Sequence, residues 1–213
     1  MKAILFDLDG TLIDSAQDIA LALRKTLREL GMEDRMPDDV RNFIGGGVRA
    51  LLERILGEDF REEMVELFRS YYMESPVVYT KPYEGIPQTI MELRRRGIKL
   101  AVVTNKLEEL SVEILKRLSL LEYFDIVVGG DTFAEKKPSP VPVSKTLVVL
   151  GVEPEEALMV GDTEADILAG RGAGTKVALA LWGYVGDRAV EPDFILHRPA
   201  ELVSLASRVS GVL

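Results

Sequence analysis

An apolar run, Ala3-Ile4-Leu5-Phe6, stops abruptly at two aspartates one residue apart, followed by Gly10-Thr11. A short apolar run ended this way reads as a buried strand. Side chains alternate along a strand, so Asp7 and Asp9 leave its carboxyl end on the same side. Two carboxylates converging there repel each other unless a cation or a shared proton holds them. Ligand sites in open α/β sheets also lie outside the carboxyl ends of strands. The pattern Asp7-Leu8-Asp9-Gly10-Thr11 therefore predicts a metal-dependent active site at a strand end.

Two different patterns follow that strand. Ile19, Leu23, Leu27 and Leu30 recur at helical spacing after Ser15, a candidate N-cap, and Gly31 closes the stretch. Further helical patterns cover 38–44, 48–56 and 60–73, and nothing in this region alternates like a strand. From Gly85 onward, apolar strand-length runs (99–104, 126–129, 157–161, 176–181 and a short one at 194–196) alternate with helical stretches. That alternation predicts a parallel sheet covered on both faces. The expected fold is α/β, a Rossmann-like doubly wound parallel sheet with a helical cap inserted after the first strand. Residues 1–14 and 81–213 are expected to form the core and 15–80 the cap, opening about 13–15 and 78–83.

The net charge of −9 argues against a general nucleic-acid or membrane-surface binder. No apolar stretch approaches the roughly 20 residues of a membrane span. The N-terminus runs straight into the strand and does not read as a secretory signal. With no cysteine there is no disulfide framework, thiol nucleophile or cysteine zinc site, which fits the cytoplasm. Two Asn and two Gln among many charges give a weak thermophile signal. A small-molecule partner is expected, and a monomer or homodimer.

Three further motifs end predicted strands or follow them closely: Thr104-Asn105-Lys106, Lys136-Lys137-Pro138-Ser139-Pro140, and Gly161-Asp162-Thr163-Glu164-Ala165-Asp166. A parallel sheet gathers all four motifs at one edge. Hard oxygen ligands with few nitrogen donors suit Mg²⁺. A lysine, a threonine hydroxyl and loop amides suit a phosphate.

In order and spacing, these four motifs resemble those of the haloacid dehalogenase superfamily of phosphohydrolases, and the helical insert resembles its type-one cap. The resemblance implies hydrolysis of a phosphomonoester through an aspartyl-phosphate. Asp7 is then the nucleophile and Asp9 the general acid and base. Thr104 and Asn105 hold phosphate oxygens, and Lys137, with Lys136 as the alternative, neutralises charge. The implied metal ligands are Asp7, the carbonyl of Asp9, Asp162 and, through water, Asp166.

Within the superfamily the second aspartate argues against a dehalogenase. Ile19 stands where many mutases carry a histidine, and Lys25, the only cap lysine, does not suit a Schiff base. Asp14–Ala20 and the turn Phe43-Ile44-Gly45-Gly46-Gly47-Val48 resemble the phosphoglycolate phosphatases. Gly46 could bring a backbone amide to the substrate tip, and Arg49 could hold a small carboxylate in a bidentate pair. The implied substrate is 2-phosphoglycolate. A pyrophosphatase or a broad sugar-phosphate or nucleotide phosphatase is the alternative.

Overall fold

A computed structural model describes residues 1–186 and 189–209. Residues 187–188 and 210–213, part of the core expected over 81–213, lie outside the described residues. The chain begins with β1 (Ala3–Phe6) and the two-residue β2 (Ile13–Asp14). Helices α1 (Ala16–Glu29), α2 (Gly47–Leu56) and α3 (Glu63–Glu74) follow, then β3 (Lys81–Pro82). The remainder alternates: α4 (Ile86–Arg95), β4 (Lys99–Val103), α5 (Glu108–Arg117), β5 (Ile126–Val128), α6 (Val141–Leu150), β6 (Ala157–Gly161), α7 (Glu164–Gly172), β7 (Lys176–Ala180), β8 (Phe194–Leu196) and α8 (Glu201–Val209). Among the described residues no helix is long and apolar enough to cross a membrane.

Six strands pair in parallel in the order β5-β4-β1-β6-β7-β8. Ile4 pairs with Leu100 on one side and Leu158 on the other, which puts β1 in the middle. The strands are apolar throughout because both faces are covered. Ile4, Phe6, Leu100, Val102, Leu158 and Val160 pack on one side. Ala3, Leu5, Ala101, Val103, Met159 and Val177 pack on the other. Each fully buried Leu, Ile or Phe contributes about 1.5–3 kcal/mol. The strand order reverses about β1, so the carboxyl end of β1 is a topological switch point, where such folds bind ligands.

The insert is tied to the sheet differently from the sequence expectation. Its two connections pair as an antiparallel ribbon, Ile13 opposite Pro82 and Asp14 opposite Lys81. Strands of two residues are too short to show alternation, so the ribbon was not legible. The Asp18 carboxylate then accepts hydrogen bonds from the Val78, Tyr79 and Thr80 N–H groups and from the Thr80 hydroxyl. The helix expected over 38–44 is a 3-10 turn, Val40–Phe43. Asp39 starts it by accepting from Arg41 N at 3.0 Å, and Gly45, at φ +112°, stops the chain from continuing as a helix.

Ser15 occupies the N-cap position of α1 but makes no side-chain cap. Its hydroxyl donates to Asp9 Oδ1 at 2.5 Å instead. The free N–H of Ala16 finds Tyr184 Oη at 3.0 Å, which also accepts from Ser15 N at 2.8 Å. A long-range phenol thus satisfies donors that a local cap usually serves.

Candidate active site

The four motifs meet at the carboxyl end of β1. After Asp9 the chain must turn sharply, and Gly10 does so at φ +85°. A Cβ on Gly10 would stand 2.2 Å from Asp162 Oδ2, so only glycine fits there. The turn leaves Thr11 buried, with its hydroxyl donating to Asp162 Oδ1 at 2.9 Å. The other oxygen of Asp162 accepts from Tyr184 N at 2.8 Å, and Trp182 Nε1 donates to the Thr11 carbonyl. The chain between β7 and β8 therefore braces the turn.

Lys137 joins two of the acids. Its ammonium lies 2.8 Å from Asp7 Oδ1 and 2.6 Å from Asp166 Oδ1, with all three side chains buried. Lys136, the alternative, reaches the Gly46 carbonyl at 2.8 Å. Asp166 is no surface carboxylate. Its second oxygen accepts from the Thr163 N–H and hydroxyl in a capping box that starts α7.

Asp9 faces away from this cluster. Both its oxygens accept from the buried ammonium of Lys106, at 3.0 and 2.8 Å. Thr104 and Asn105 are buried beside it. The Thr104 hydroxyl accepts from Lys106 N at 3.3 Å. Asn105 Nδ2 donates to the Gly45 and Lys137 carbonyls, both at 2.9 Å.

Burial dominates the electrostatics. It pushes the Asp7 carboxyl up to about 6, against the pull of Lys137. It raises Asp162 well above its ordinary value, helped by the charges of Asp7 and Asp166. Burial opposes the Lys137 charge, but Asp166 and Asp7 outweigh it and hold the proton more tightly than usual. Four buried carboxylates face two buried ammonium groups here, leaving two negative charges without a buried counter-charge. Asp7, Asp162 and Asp166 each offer an oxygen within 4.8 Å of the others. An all-oxygen donor set with that excess charge fits a hard divalent cation.

A pocket opens above Asp7, Asp9 and Thr104. The insert walls it with Ile19, Ile44, Val48, Leu51 and Phe68. Gly45 and Gly47 line it; Gly46 and Arg49 do not. Gly46 turns its carbonyl to Lys136. Arg49 is half exposed and pairs with Glu62 at 2.5 Å and Glu53 at 3.9 Å, because the first turn of α2 points that position outward. The cation the insert does bring to the pocket is Arg69, on α3, paired with Glu109 at 2.5 Å. Lys106, Arg69, Thr11 and Tyr184 received no role from the sequence, and Ser15 only that of a helix N-cap. Lys106, next to the Thr104-Asn105 pair, was the one with a local signal.

The chain belongs to the haloacid dehalogenase-like hydrolases, whose sequence profile matches residues 4–180. A phosphoglycolate phosphatase of Aquifex aeolicus is 67% identical over 205 residues, covering 96% of both chains. One from Neisseria meningitidis is 39% identical over 95% of this chain and 92% of its own. The solved structure of a haloacid dehalogenase-like hydrolase from Streptococcus pneumoniae superposes with a TM-score of 0.85 at 29% identity. It covers 96% of this chain and 98% of its own.

Proposed function

We propose that this chain is a Mg²⁺-dependent phosphatase that hydrolyses 2-phosphoglycolate to glycolate and phosphate, with residues 15–80 closing as a cap over a core of 1–14 and 81–213. The observation that carries the reading is the buried Asp7–Lys137–Asp166 cluster beneath a pocket walled largely by apolar side chains of the insert. The relatives named as phosphoglycolate phosphatases support the substrate.

Asp7 attacks phosphorus, and the bond from phosphorus to the glycolate oxygen breaks. Asp9 gives its proton to that leaving oxygen. Water then attacks the aspartyl-phosphate, its proton goes to Asp9, and the Asp7–phosphorus bond breaks to release phosphate. Splitting the hydrolysis this way replaces one difficult step with two easier ones. Lys137 neutralises charge as nucleophile and phosphoryl group meet, while Asp166 holds its ammonium in place. Thr104 and Asn105 hold the phosphoryl oxygens. Asp7, Asp162 and Asp166, with the Asp9 carbonyl, would hold magnesium, which would supply the positive charge that lets a dianionic phosphate approach an anionic nucleophile. The apolar wall excludes water during the reaction.

The same wall favours a two-carbon substrate over sugar phosphates and nucleotides. Ile19, Ile44, Val48, Leu51 and Phe68 offer no partner to the several hydroxyls of a sugar, and unpaired buried polar groups cost about 1–3 kcal/mol each. The absence of cysteine supports a cytoplasmic setting.

The test is kcat/KM with Mg²⁺ for 2-phosphoglycolate, pyrophosphate, several sugar phosphates, nucleoside monophosphates and p-nitrophenyl phosphate. Phosphoglycolate is expected to lead by two decades, about 2.7 kcal/mol of transition-state discrimination. A flat profile would leave a generalist phosphatase.

A further inference from the structure

Two buried polar groups on the pocket wall have no part in that mechanism: the Lys106 ammonium and the Tyr72 hydroxyl. Both residues are buried, at 8% and 2% exposure, and both line the pocket. We infer that Lys106 and Tyr72 together form the subsite for the second acidic group of the substrate, the carboxylate of a phosphorylated hydroxy acid. The inference rests on the phosphatase reading and assigns the part of the site that reads the substrate beyond its phosphate.

The Tyr72 hydroxyl is buried with the Lys106 ammonium beside it, and its own O–H has no acceptor. A buried O–H left without an acceptor is destabilising, so the pocket gains from an acceptor placed there. The Lys106 ammonium lies 4.6 Å from the Tyr72 ring centroid, so the two donors are neighbours. Asp9 engages the ammonium with both oxygens, at 3.0 and 2.8 Å. An ammonium has three N–H donors, so the one not facing Asp9 points toward the Tyr72 oxygen and any anion placed beside it. A phenol O–H and an N⁺–H converging on one spot among aliphatic walls select an anionic acceptor.

The other candidates are less suited. Arg69 lines the pocket but is already paired with Glu109 at 2.5 Å and Glu66 at 3.6 Å, with 36% of its side chain exposed. Arg49 is outside the pocket, paired with Glu62. The proposed subsite also spans both halves of the molecule. Tyr72 comes from α3 of the insert and Lys106 from the loop after β4. It is therefore complete only when the insert lies against the core, so a substrate carboxylate would bridge the two.

The experiment compares kcat/KM for 2-phosphoglycolate with that for ethyl phosphate, a phosphomonoester without the carboxylate. It uses the wild-type protein, Tyr72→Phe, Lys106→Met, Lys106→Arg and Arg69→Met, each loaded with Mg²⁺. The wild-type ratio is expected to be large. It should fall about tenfold in Tyr72→Phe and about a hundredfold in Lys106→Met, with KM for phosphoglycolate carrying most of the change. Lys106→Arg should restore part of it. A large wild-type ratio that survives both Tyr72→Phe and Lys106→Met would overturn the subsite alone. So would a loss confined to Arg69→Met. A wild-type ratio near one would overturn the phosphoglycolate reading and the subsite with it. Tyr72→Phe removes a single oxygen, so the subsite can be tested even if a Lys106 variant fails to fold.

Discussion

Asp18 and Thr80 stand 62 residues apart and meet through two hydrogen bonds, the Asp18 carboxylate accepting from the Thr80 N–H at 2.8 Å and its hydroxyl at 2.6 Å. With the Val78 and Tyr79 N–H groups added, one buried carboxylate pins the exit of the insert to its first helix. Asp18→Ala is expected to leave those donors unpaired and to destabilise the protein by about 2–4 kcal/mol. Limited proteolysis should then cut the linker near Val78 and Tyr79, both exposed, well before the core is attacked. Cutting no faster than in wild type would mean the linker is held by other contacts.

Asp7→Asn should lower kcat at least roughly a thousandfold, because it removes the attacking oxygen charge while leaving the shape of the site. Circular dichroism should show the fold intact. Turnover near the wild-type rate would remove Asp7 from the nucleophile's role.

The raised Asp7 carboxyl also gives a signed pH dependence. Its value is about 6 in the folded chain against an ordinary 3.8, so the folded state holds the proton more tightly. That contribution to stability is complete below about pH 4 and is lost as pH rises through about 6. In metal-free protein, the Tm of Asp7→Asn minus that of wild type should therefore increase between pH 4 and pH 7. Magnesium should shrink the difference at pH 7 by favouring the charged carboxylate. A difference that stays flat across that range without metal would contradict the burial argument.

Lys137→Met leaves Asp7 and Asp166 buried without their shared cation. Breaking a buried pair in this way typically costs about 3–5 kcal/mol, so the variant should unfold at markedly lower urea than wild type. Lys136→Met removes only a bond to the Gly46 carbonyl and should cost about 1 kcal/mol. Equal midpoints for the two variants would refute the assignment of Lys137 to the buried cluster.

Arg49→Ala is expected to change stability by less than about 1 kcal/mol, since its ion pairs with Glu62 and Glu53 are exposed. KM for 2-phosphoglycolate should stay within twofold of wild type, roughly the scale of an uninvolved surface site. A large rise would return Arg49 to the binding site.

The sheet and the cluster of acids and lysines at its edge were legible because they depend on local patterns. Continuous apolar runs mark strands covered on both faces, and charged residues that end such runs must lie at one edge of a parallel sheet. Asp7, Asp9, Thr104, Asn105, Lys137, Asp162 and Asp166 all follow from that. The pocket wall was harder, because its composition depends on which way each cap helix is rotated. Arg49 and Arg69 are both cap arginines, and only the packing of α2 and α3 decides which one faces inward. Ser15 shows the other limit. As a residue before a helix it reads as a cap, yet a phenol 169 residues away takes that role and frees its hydroxyl for Asp9.

The antiparallel ribbon of Ile13–Asp14 with Lys81–Pro82 brings the two ends of a helical segment side by side. Seen from the sheet, the whole segment is one long hairpin loop, and a loop whose ends already touch can be exchanged without rethreading the chain. A graft of another helical segment at the same ribbon would keep Asp7, Asp9, Asp162 and Asp166 where they are and replace only the residues that wall the pocket above them.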